Sequence, residues 1–179
     1  QPLWSYRIMR LGGAPYSPNA KDQLDTLLGV AAGLLWIYTD FGRLVAFDLS
    51  TGELIHRLSS NPYDSTNPRY TMVEGLGYCF FREEDKAIVS INRLGVHIFD
   101  AATAACLESY RFADVDPDGI PAFKYFAIAQ CQGDYFTFRA ERDGESYGWG
   151  WAGVFDLKAR SLLWASEVIP SQERERTGN

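Results

Sequence analysis

Short apolar runs alternate with turn-forming residues along the whole chain, and three of these runs end in Phe-Asp. The copies are Phe47-Asp48, Phe99-Asp100 and Phe155-Asp156. They lie 52 and 56 residues apart, which is a spacing typical of the repeats that build solenoids and propellers. The pattern therefore predicts a fold made of repeated units.

Each unit contains four strand-like segments. Val, Ile, Phe, Tyr and Trp dominate them, and Gly, Asp, Asn and Pro separate them, which is the pattern of an all-β protein. The predicted strands are 27–30, 34–39, 43–49 and 53–58; then 77–82, 86–92, 96–100 and 106–112; then 125–131, 135–141, 150–157 and 161–169. Four consecutive strands per repeat is the plan of a propeller blade.

We therefore predict a partial or irregular β-propeller of about three four-stranded blades, at residues 24–58, 76–112 and 125–169. One orphan strand over residues 3–11 completes a single domain over residues 1–170, and residues 171–179 are expected to be a flexible polar tail. Closed propellers have at least four blades. Three explanations stay open: an excerpt of a longer propeller, an open partial propeller, or completion by a partner. Gln1 in place of Met is typical of a processed or excerpted chain.

At the repeat residues the chain resembles the quinoprotein-like, or PQQ-repeat-like, β-propeller family. The residues that carry the resemblance are Gly42, Asp48, Thr51 and Gly52 in the first copy, Phe99, Asp100 and Thr103 in the second, and Phe155, Asp156 and Trp164 in the third. His56 stands where the first copy would close on Trp. The resemblance implies a blade architecture related to WD40 repeats, and it implies no activity by itself.

The repeated aspartate has a mechanical interpretation. After a buried strand, the side chain of Asp48, Asp100 or Asp156 can accept hydrogen bonds from backbone N–H groups of the following turn. We expect these residues to form turns rather than to bind a ligand. Trp164, which closes the third unit, is expected to pack between blades.

Composition and charge limit the class of protein. The 179 residues are 46% hydrophobic, enough to bury a core, and no apolar run is long enough to span a bilayer. The formal charge of −6 argues against nucleic acid as a partner and leaves basic proteins plausible. Cys79, Cys106 and Cys131 are odd in number and far apart, so we expect reduced, buried thiols and a cytoplasmic location, with a periplasmic or secreted one still open.

One segment has the character of a metal site. Asp114, Asp116 and Asp118 precede Gly119 at the spacing with which a calcium loop begins. Neither Ala122 nor Tyr125 supplies the carboxylate that would complete such a loop, so an acidic turn between blades is the favoured interpretation. His56 and His97, the two histidines, lack partners at ligand spacing, and we interpret them as strand residues.

One aromatic segment is a candidate binding site. Tyr147, Trp149 and Trp151, with Arg142 and Asp143 nearby, could hold a planar ligand, because side chains two residues apart on a strand point to the same face. The alternative is a wide hairpin with its Trp side chains packed into the sheet. An exposed aromatic pair would also suit a protein-binding hot spot.

The sequence thus favours a non-catalytic protein-binding module over an enzyme, and no cofactor is expected. An immunity-type inhibitor of a bacterial toxin is one such role, and self-association through an unpaired blade edge is another possibility. The alternatives are a fragment of a quinoprotein-like enzyme or of an outer-membrane assembly scaffold, and a carbohydrate-binding domain.

Overall fold

The structure, a computed structural model, describes residues 3–13, 20–142 and 149–168. Within these ranges the chain is almost entirely β. The strands are β1 Leu24–Ala31, β2 Leu34–Thr39, β3 Arg43–Asp48, β4 Leu54–Ser59, β5 Thr71–Met72, β6 Tyr78–Arg82, β7 Ala87–Ile91, β8 Gly95–Asp100, β9 Cys106–Arg111, β10 Phe123–Gln132, β11 Tyr135–Arg142, β12 Trp151–Asp156 and β13 Ser161–Glu167. A single turn of α-helix, α1, spans Phe112–Val115.

The strands form three sheets in the order of the chain. The first has the order β1-β2-β3-β4-β5, the second β6-β7-β8-β9 and the third β10-β11-β12-β13. In the first sheet β1 to β4 are antiparallel neighbours, and the two-residue β5 joins β4 in parallel. The predicted all-β class with three consecutive blade-type sheets is confirmed.

The three repeated aspartates form the turns that the sequence predicts. Asp48 Oδ1 accepts hydrogen bonds from the backbone N–H groups of Ser50 and Thr51 at 2.9 and 2.8 Å. Asp100 Oδ1 does the same for residues 102 and 103, and Asp156 Oδ1 for residues 158 and 159. Gly52 closes the first of these turns at φ +74°, a conformation that glycine adopts without strain. The Phe-Asp repeat is therefore a device that reverses the chain.

Hydrogen bonds to its carboxylate also set the acidity of Asp48. Donation from the Ser50 hydroxyl, and from the N–H groups of Thr51 and Ser50, lowers the pKa of Asp48 to about 2. The pKa of Asp48 in the folded state lies below its unfolded value of 3.8. These hydrogen bonds therefore stabilise the fold above about pH 3.8, and this stabilisation is lost as the pH falls towards 2. We expect the urea midpoints of the wild type and Asp48→Ala to differ at pH 6 and to converge between about pH 4 and pH 2. A difference that stays constant over this range would contradict the assignment.

Contacts divide the chain into two compact units. The first comprises Gln1–Asn92 and His97–Glu108, and the second Arg93–Val96 and Ser109–Asn179. In the first unit Trp36 is fully buried, stacks on His56 at a centroid distance of 5.7 Å, and donates its indole N–H to the Ala101 carbonyl at 2.7 Å. Leu44, Ile88 and Phe99 belong to the same apolar cluster.

The core of the second unit is aromatic. Phe112, at the start of α1, contacts the rings of Phe126, Phe136 and Phe155 at centroid distances of 6.1, 6.1 and 5.1 Å. Phe138 extends this cluster from β11 and contacts Phe123 at 5.6 Å. Such edge-to-face and tilted ring pairs stabilise beyond their buried area.

The predicted orphan strand over residues 3–11 is wrong. Residues 3–7 form no strand, and Ile8–Leu11 forms a 3-10 helix. Tyr6 and Trp4 instead cover the Phe47 ring, at centroid distances of 4.7 and 5.9 Å, and the Trp4 indole donates to the Leu49 carbonyl. The apolar residues of this segment therefore pack as side chains on the first sheet rather than extending it.

The three cysteines differ in their burial. All three cysteines are free, but only Cys79 is buried; Cys131 is half-buried and Cys106 is exposed, so the prediction of three buried thiols is wrong for Cys106. Burial raises the pKa of the Cys79 thiol.

The predicted tail, 171–179, lies outside the described residues. None of the helices in the described ranges is long and apolar enough to cross a membrane.

Candidate functional site

The two faces of the β10 to β13 sheet differ in composition and burial. Along β11, Phe136, Phe138 and Ala140 are buried, whereas the alternate positions Tyr135 and Arg139 are exposed. This period of two is that of a strand with one face in the core and one facing water. The exposed side is the candidate binding surface.

Pairing between strands shows which residues share this exposed side. Tyr125 lies opposite Glu141, and Thr137 lies opposite Val154, which in turn lies opposite Trp164. Directly paired residues project to the same face, so Tyr125 and Trp164 join Tyr135 and Arg139. We define the open face by these four residues together with Trp149, whose ring lies against Arg139.

Large aromatic side chains are exposed on the open face. The exposed fractions are 47% for Tyr125, 47% for Tyr135, 39% for Trp149 and 49% for Trp164. The prediction that Trp164 packs between blades is thus not met in the described residues. The solvent face of an antiparallel sheet is normally polar. Four half-exposed aromatic rings on one such face are typical of an interaction surface.

The two tryptophans of the predicted platform have different arginine partners. The Arg139 guanidinium lies 5.0 Å from the Trp149 ring centroid, and the Arg142 guanidinium lies 4.0 Å from that of Trp151. Arg139 and Arg142 are three residues apart on β11, so their side chains leave opposite faces of the strand. β12 begins only at Trp151, so Trp149 does not obey the strand alternation that placed both rings on one side.

Arg142, the last residue of β11, lies on the Phe123 side of the strand but is itself exposed. Its guanidinium also lies 5.4 Å from the ring of the buried Phe123, which pairs with it across β10 and β11. Trp151 is half-buried there, whereas Trp149 and Arg139 face water. Tyr147 and Asp143, the other predicted binding residues, lie outside the described ranges. The proposed role of these residues in binding stays a prediction.

Cations gather at the Tyr125 end of the open face. The Lys124 ammonium lies 5.3 Å from the Tyr125 ring centroid and the Arg93 guanidinium 5.8 Å from it. Arg139 is exposed on the same face, where Glu141 supplies a half-buried carboxylate. Although the chain has a net charge of −6, this end of the open face is locally positive.

A small pocket adjoins this end of the open face. It has a volume of about 190 Å³, and its apolar wall contains the buried rings of Phe112 and Phe123 and the buried Ile120. Arg93 and Arg111 line it as well. Both arginines are exposed, and neither forms an ion pair with any described residue.

The structure does not bring the predicted calcium ligands Asp114, Asp116 and Asp118 together as a metal site. The Asp116 carboxylate accepts a hydrogen bond from the Leu162 backbone N–H at 2.5 Å, while Asp114 and Asp118 are exposed. Gly119 approaches this carboxylate so closely that a Cβ would lie 2.3 Å from Asp116 Oδ2. In the described ranges no three His, Cys, Asp or Glu side chains are grouped to hold a metal ion. The Asp116 side chain thus connects this loop to β13, and Gly119 lies against the Asp116 carboxylate.

A buried ionic cluster in the first unit was not predicted. Arg43, fully buried, donates from Nε and Nη2 to the two carboxylate oxygens of Asp64 at 2.7 and 2.8 Å. Its Nη1 donates to Asp22 Oδ2 at 2.8 Å and to the Gly12 carbonyl at 2.7 Å. Burial alone would lower the pKa of Arg43, but the hydrogen bonds to Asp64 and Asp22 outweigh it and raise that pKa.

The remaining oxygens of this cluster are satisfied internally. The Thr39 hydroxyl donates to Asp22 and the Ser59 hydroxyl to Asp64, and both hydroxyl residues are buried. Four of the five guanidinium N–H donors of Arg43 are used within the cluster, and the side chain is fully buried, so it is not presented to a substrate. We therefore interpret the cluster as structural: it ties the segment before β1 and the loop after β4 to the start of β3.

The two histidines are strand residues, as predicted. His56 lies in β4 on the Trp36 ring, and burial lowers its pKa. His97 lies in β8, and its Nε2 is 2.9 Å from the Glu74 carbonyl oxygen. Neither belongs to a group of metal-ligating side chains among the described residues.

Comparisons with known proteins give little beyond the fold. No protein-family profile matches the chain, and no curated protein matches it. Among solved structures it is similar to BamB from Moraxella catarrhalis, with a TM-score of 0.41 and 12% identity over 78% of this chain. The chain spans 35% of that protein's length. Likeness at this level carries no argument about function, and membership of the PQQ-repeat-like family stays a prediction.

Sequence reasoning missed most of the open face, although one signal for it was present. Residues 135–140 alternate strictly between Tyr, Thr or Arg and an apolar residue, which identifies an exposed strand face carrying Tyr135 and Arg139. No comparable signal marks Arg93 and Arg111 as pocket residues, because they come from separate segments of the chain.

Proposed function

We propose that the chain is a non-catalytic protein-binding module whose contact surface is the open face of the third sheet. The observation that carries the proposal is the exposure of Tyr125, Tyr135, Trp149 and Trp164 on one sheet face. Tryptophan, tyrosine and arginine supply most hot-spot energy in protein interfaces. Tyrosine and tryptophan bury a large area while losing little side-chain entropy.

The outer edge of β13 supports the same role. β13 lies at the end of its sheet, and among the described residues no strand pairs with its outer side. Leu163 on this strand and Val168, directly after its last residue, are both exposed. An open strand edge beside an aromatic face can pair with another chain, either a different protein or a second copy.

The local charge refines the choice of partner. The net charge of −6 favours basic proteins in general. Lys124, Arg93 and Arg139 favour carboxylates at the Tyr125 end of the open face, so we propose a partner that presents acidic groups there. Toxin neutralisation is one form of this proposal, and it predicts an enzyme partner that loses activity in an equimolar complex. The three free cysteines suit a cytoplasmic site of action.

Substitution of Trp164 by glutamate tests the proposal. Because the variant replaces an exposed aromatic ring of the open face by a charge, we expect capture of the partner from native lysate to fall at least about tenfold. Quantitative mass spectrometry of the captured proteins and light scattering of the purified chain measure hetero- and self-association. Leu27→Glu is the matched control, since Leu27 is an equally prominent apolar residue, 63% exposed, on β1 of the other unit. Equal capture by both variants, or a wild type that is a monomer without a partner, would overturn the proposal.

A further inference from the structure

The pocket beside the open face is lined by two arginines and by apolar residues, and neither arginine forms an ion pair with a described residue. Arg93 and Arg111 line it together with Phe112, Ile120 and Phe123. Phe112 and Ile120 are each 1% exposed and Phe123 is 4% exposed, so these side chains are held in place by the core. The apolar surface that a ligand can reach is supplied by Leu94, Ala113 and Pro121, which also line the pocket and are exposed.

The size of the pocket limits what it can hold. Its volume of about 190 Å³ exceeds the 150 Å³ or so that accepts a benzene ring. It is smaller than the roughly 300 to 1,000 Å³ of sites for drug-sized ligands and cofactors. One ring or one branched aliphatic side chain fits, and a larger cofactor does not.

The charges identify the polar part of the ligand. A guanidinium binds a carboxylate through two parallel hydrogen bonds, and the pocket presents two guanidinium groups that no described carboxylate engages. Asp114 and Asp118 are exposed nearby in sequence, but neither forms an ion pair with Arg93 or Arg111. A group that combines one carboxylate with one apolar side chain matches this lining.

We propose that this pocket binds the C-terminal residue of a partner protein, with its free carboxylate between Arg93 and Arg111 and its apolar side chain against Leu94, Ala113 and Pro121. The inference rests on the proposed function, since Arg93 lies over Tyr125 of the open face and makes the pocket continuous with that surface. A chain terminus brings the required carboxylate and side chain on one residue, and the rest of the partner chain leaves towards the open face.

The test uses four probes and the complete chain. The probes are N-acetyl-Gly-Gly-Leu, its C-terminal amide, N-acetyl-Gly-Gly-Gly and free 4-methylpentanoate. Amide chemical shifts of Leu94 and Ala113, both in the pocket lining, report binding at this site by NMR titration. We expect the leucine acid to bind at least about tenfold more tightly than its amide, since a charge-assisted hydrogen bond is lost. The glycine peptide should bind about tenfold more weakly, because its apolar group is missing.

Substitutions in the pocket test whether its arginines bind the carboxylate of the probe. Arg111→Gln should weaken binding of the leucine acid about tenfold, whereas Arg111→Lys should retain part of it as a point charge. Ala113→Leu fills the pocket, so it tests the site without removing charge. Arg69→Gln is the matched control, because Arg69 is an exposed arginine of the first unit that forms no ion pair with any residue in the described ranges. Heteronuclear NMR spectra confirm that each variant is folded.

The outcomes separate this inference from the proposed function. Equal affinity of the acid and the amide, or no shift at Leu94 and Ala113 with any probe, would overturn the inference. Binding of 4-methylpentanoate as tight as that of the peptide would assign the pocket to free small acids instead of a chain terminus. If Arg111→Gln captures the partner normally while Trp164→Glu does not, the pocket assignment fails and the open face stands.

Discussion

Replacing Arg43 by methionine should lower the free energy of unfolding by about 3 to 5 kcal/mol. The substitution keeps much of the apolar volume but removes the guanidinium that Asp22 and Asp64 share. Both carboxylates are buried, so their desolvation would no longer be offset by a cation. The midpoint and slope of a urea transition followed by circular dichroism measure the loss.

Two further variants make this result specific to the cluster. Arg43→Lys retains the charge but cannot donate to Asp64 through a fork and reach Asp22 and Gly12 as well, so an intermediate loss is expected. Arg57→Met, in the neighbouring strand β4, removes a half-buried arginine with one long hydrogen bond of 3.4 Å and should cost about 1 kcal/mol or less. Similar losses for Arg43→Met and Arg57→Met would show that the buried pairs contribute no net stability.

Replacing Trp36 by alanine should cost about 3 to 5 kcal/mol. Trp36 is fully buried, and the truncation leaves a cavity between β2 and the Ala101 turn as well as an unpaired Ala101 carbonyl. Trp36→Phe keeps most of the ring but not the indole N–H, so a loss of about 1 to 3 kcal/mol is expected from the unsatisfied carbonyl. Thermal and urea unfolding of the two variants separate the cavity from the hydrogen bond.

Trp164→Ala is the matched control for this series. Trp164 is 49% exposed, so its truncation should cost about 1 kcal/mol or less while still weakening partner capture. A loss at Trp164 as large as that at Trp36 would mean that the open face is part of the packed core. The two tryptophans thus test which aromatic residues support the fold and which are available for binding.

Much of the strand pattern follows from local physics. The segment Leu34–Thr39 was predicted with the bounds that the structure has, because an apolar run rich in branched and aromatic residues ends at a Gly-containing turn. Asp48 was assigned to a turn because its hydrogen bonds reach only two and three residues ahead. Interactions of such short range can be inferred from neighbouring residues.

The N-terminal segment shows where this reasoning failed. Trp4 and Tyr6 have the residue types of a strand, but a strand also needs an unpaired edge to join. In the folded chain both rings pack on Phe47 instead. Whether an apolar residue contributes a strand or a covering side chain depends on which surface is available, and the local pattern does not contain that information.

By itself the sequence determined the all-β class, the three consecutive sheets and the Phe-Asp turns, because strand periodicity and turn hydrogen bonds act over a few residues. Tertiary structure alone decided the rest. It joined Asp22, Arg43 and Asp64 into one buried cluster, left Trp164 exposed, and brought Arg93 and Arg111 to one pocket. Long-range contacts depend on how the sheets fold back on the chain, so the charges and rings that form a binding surface are adjacent only in the folded protein.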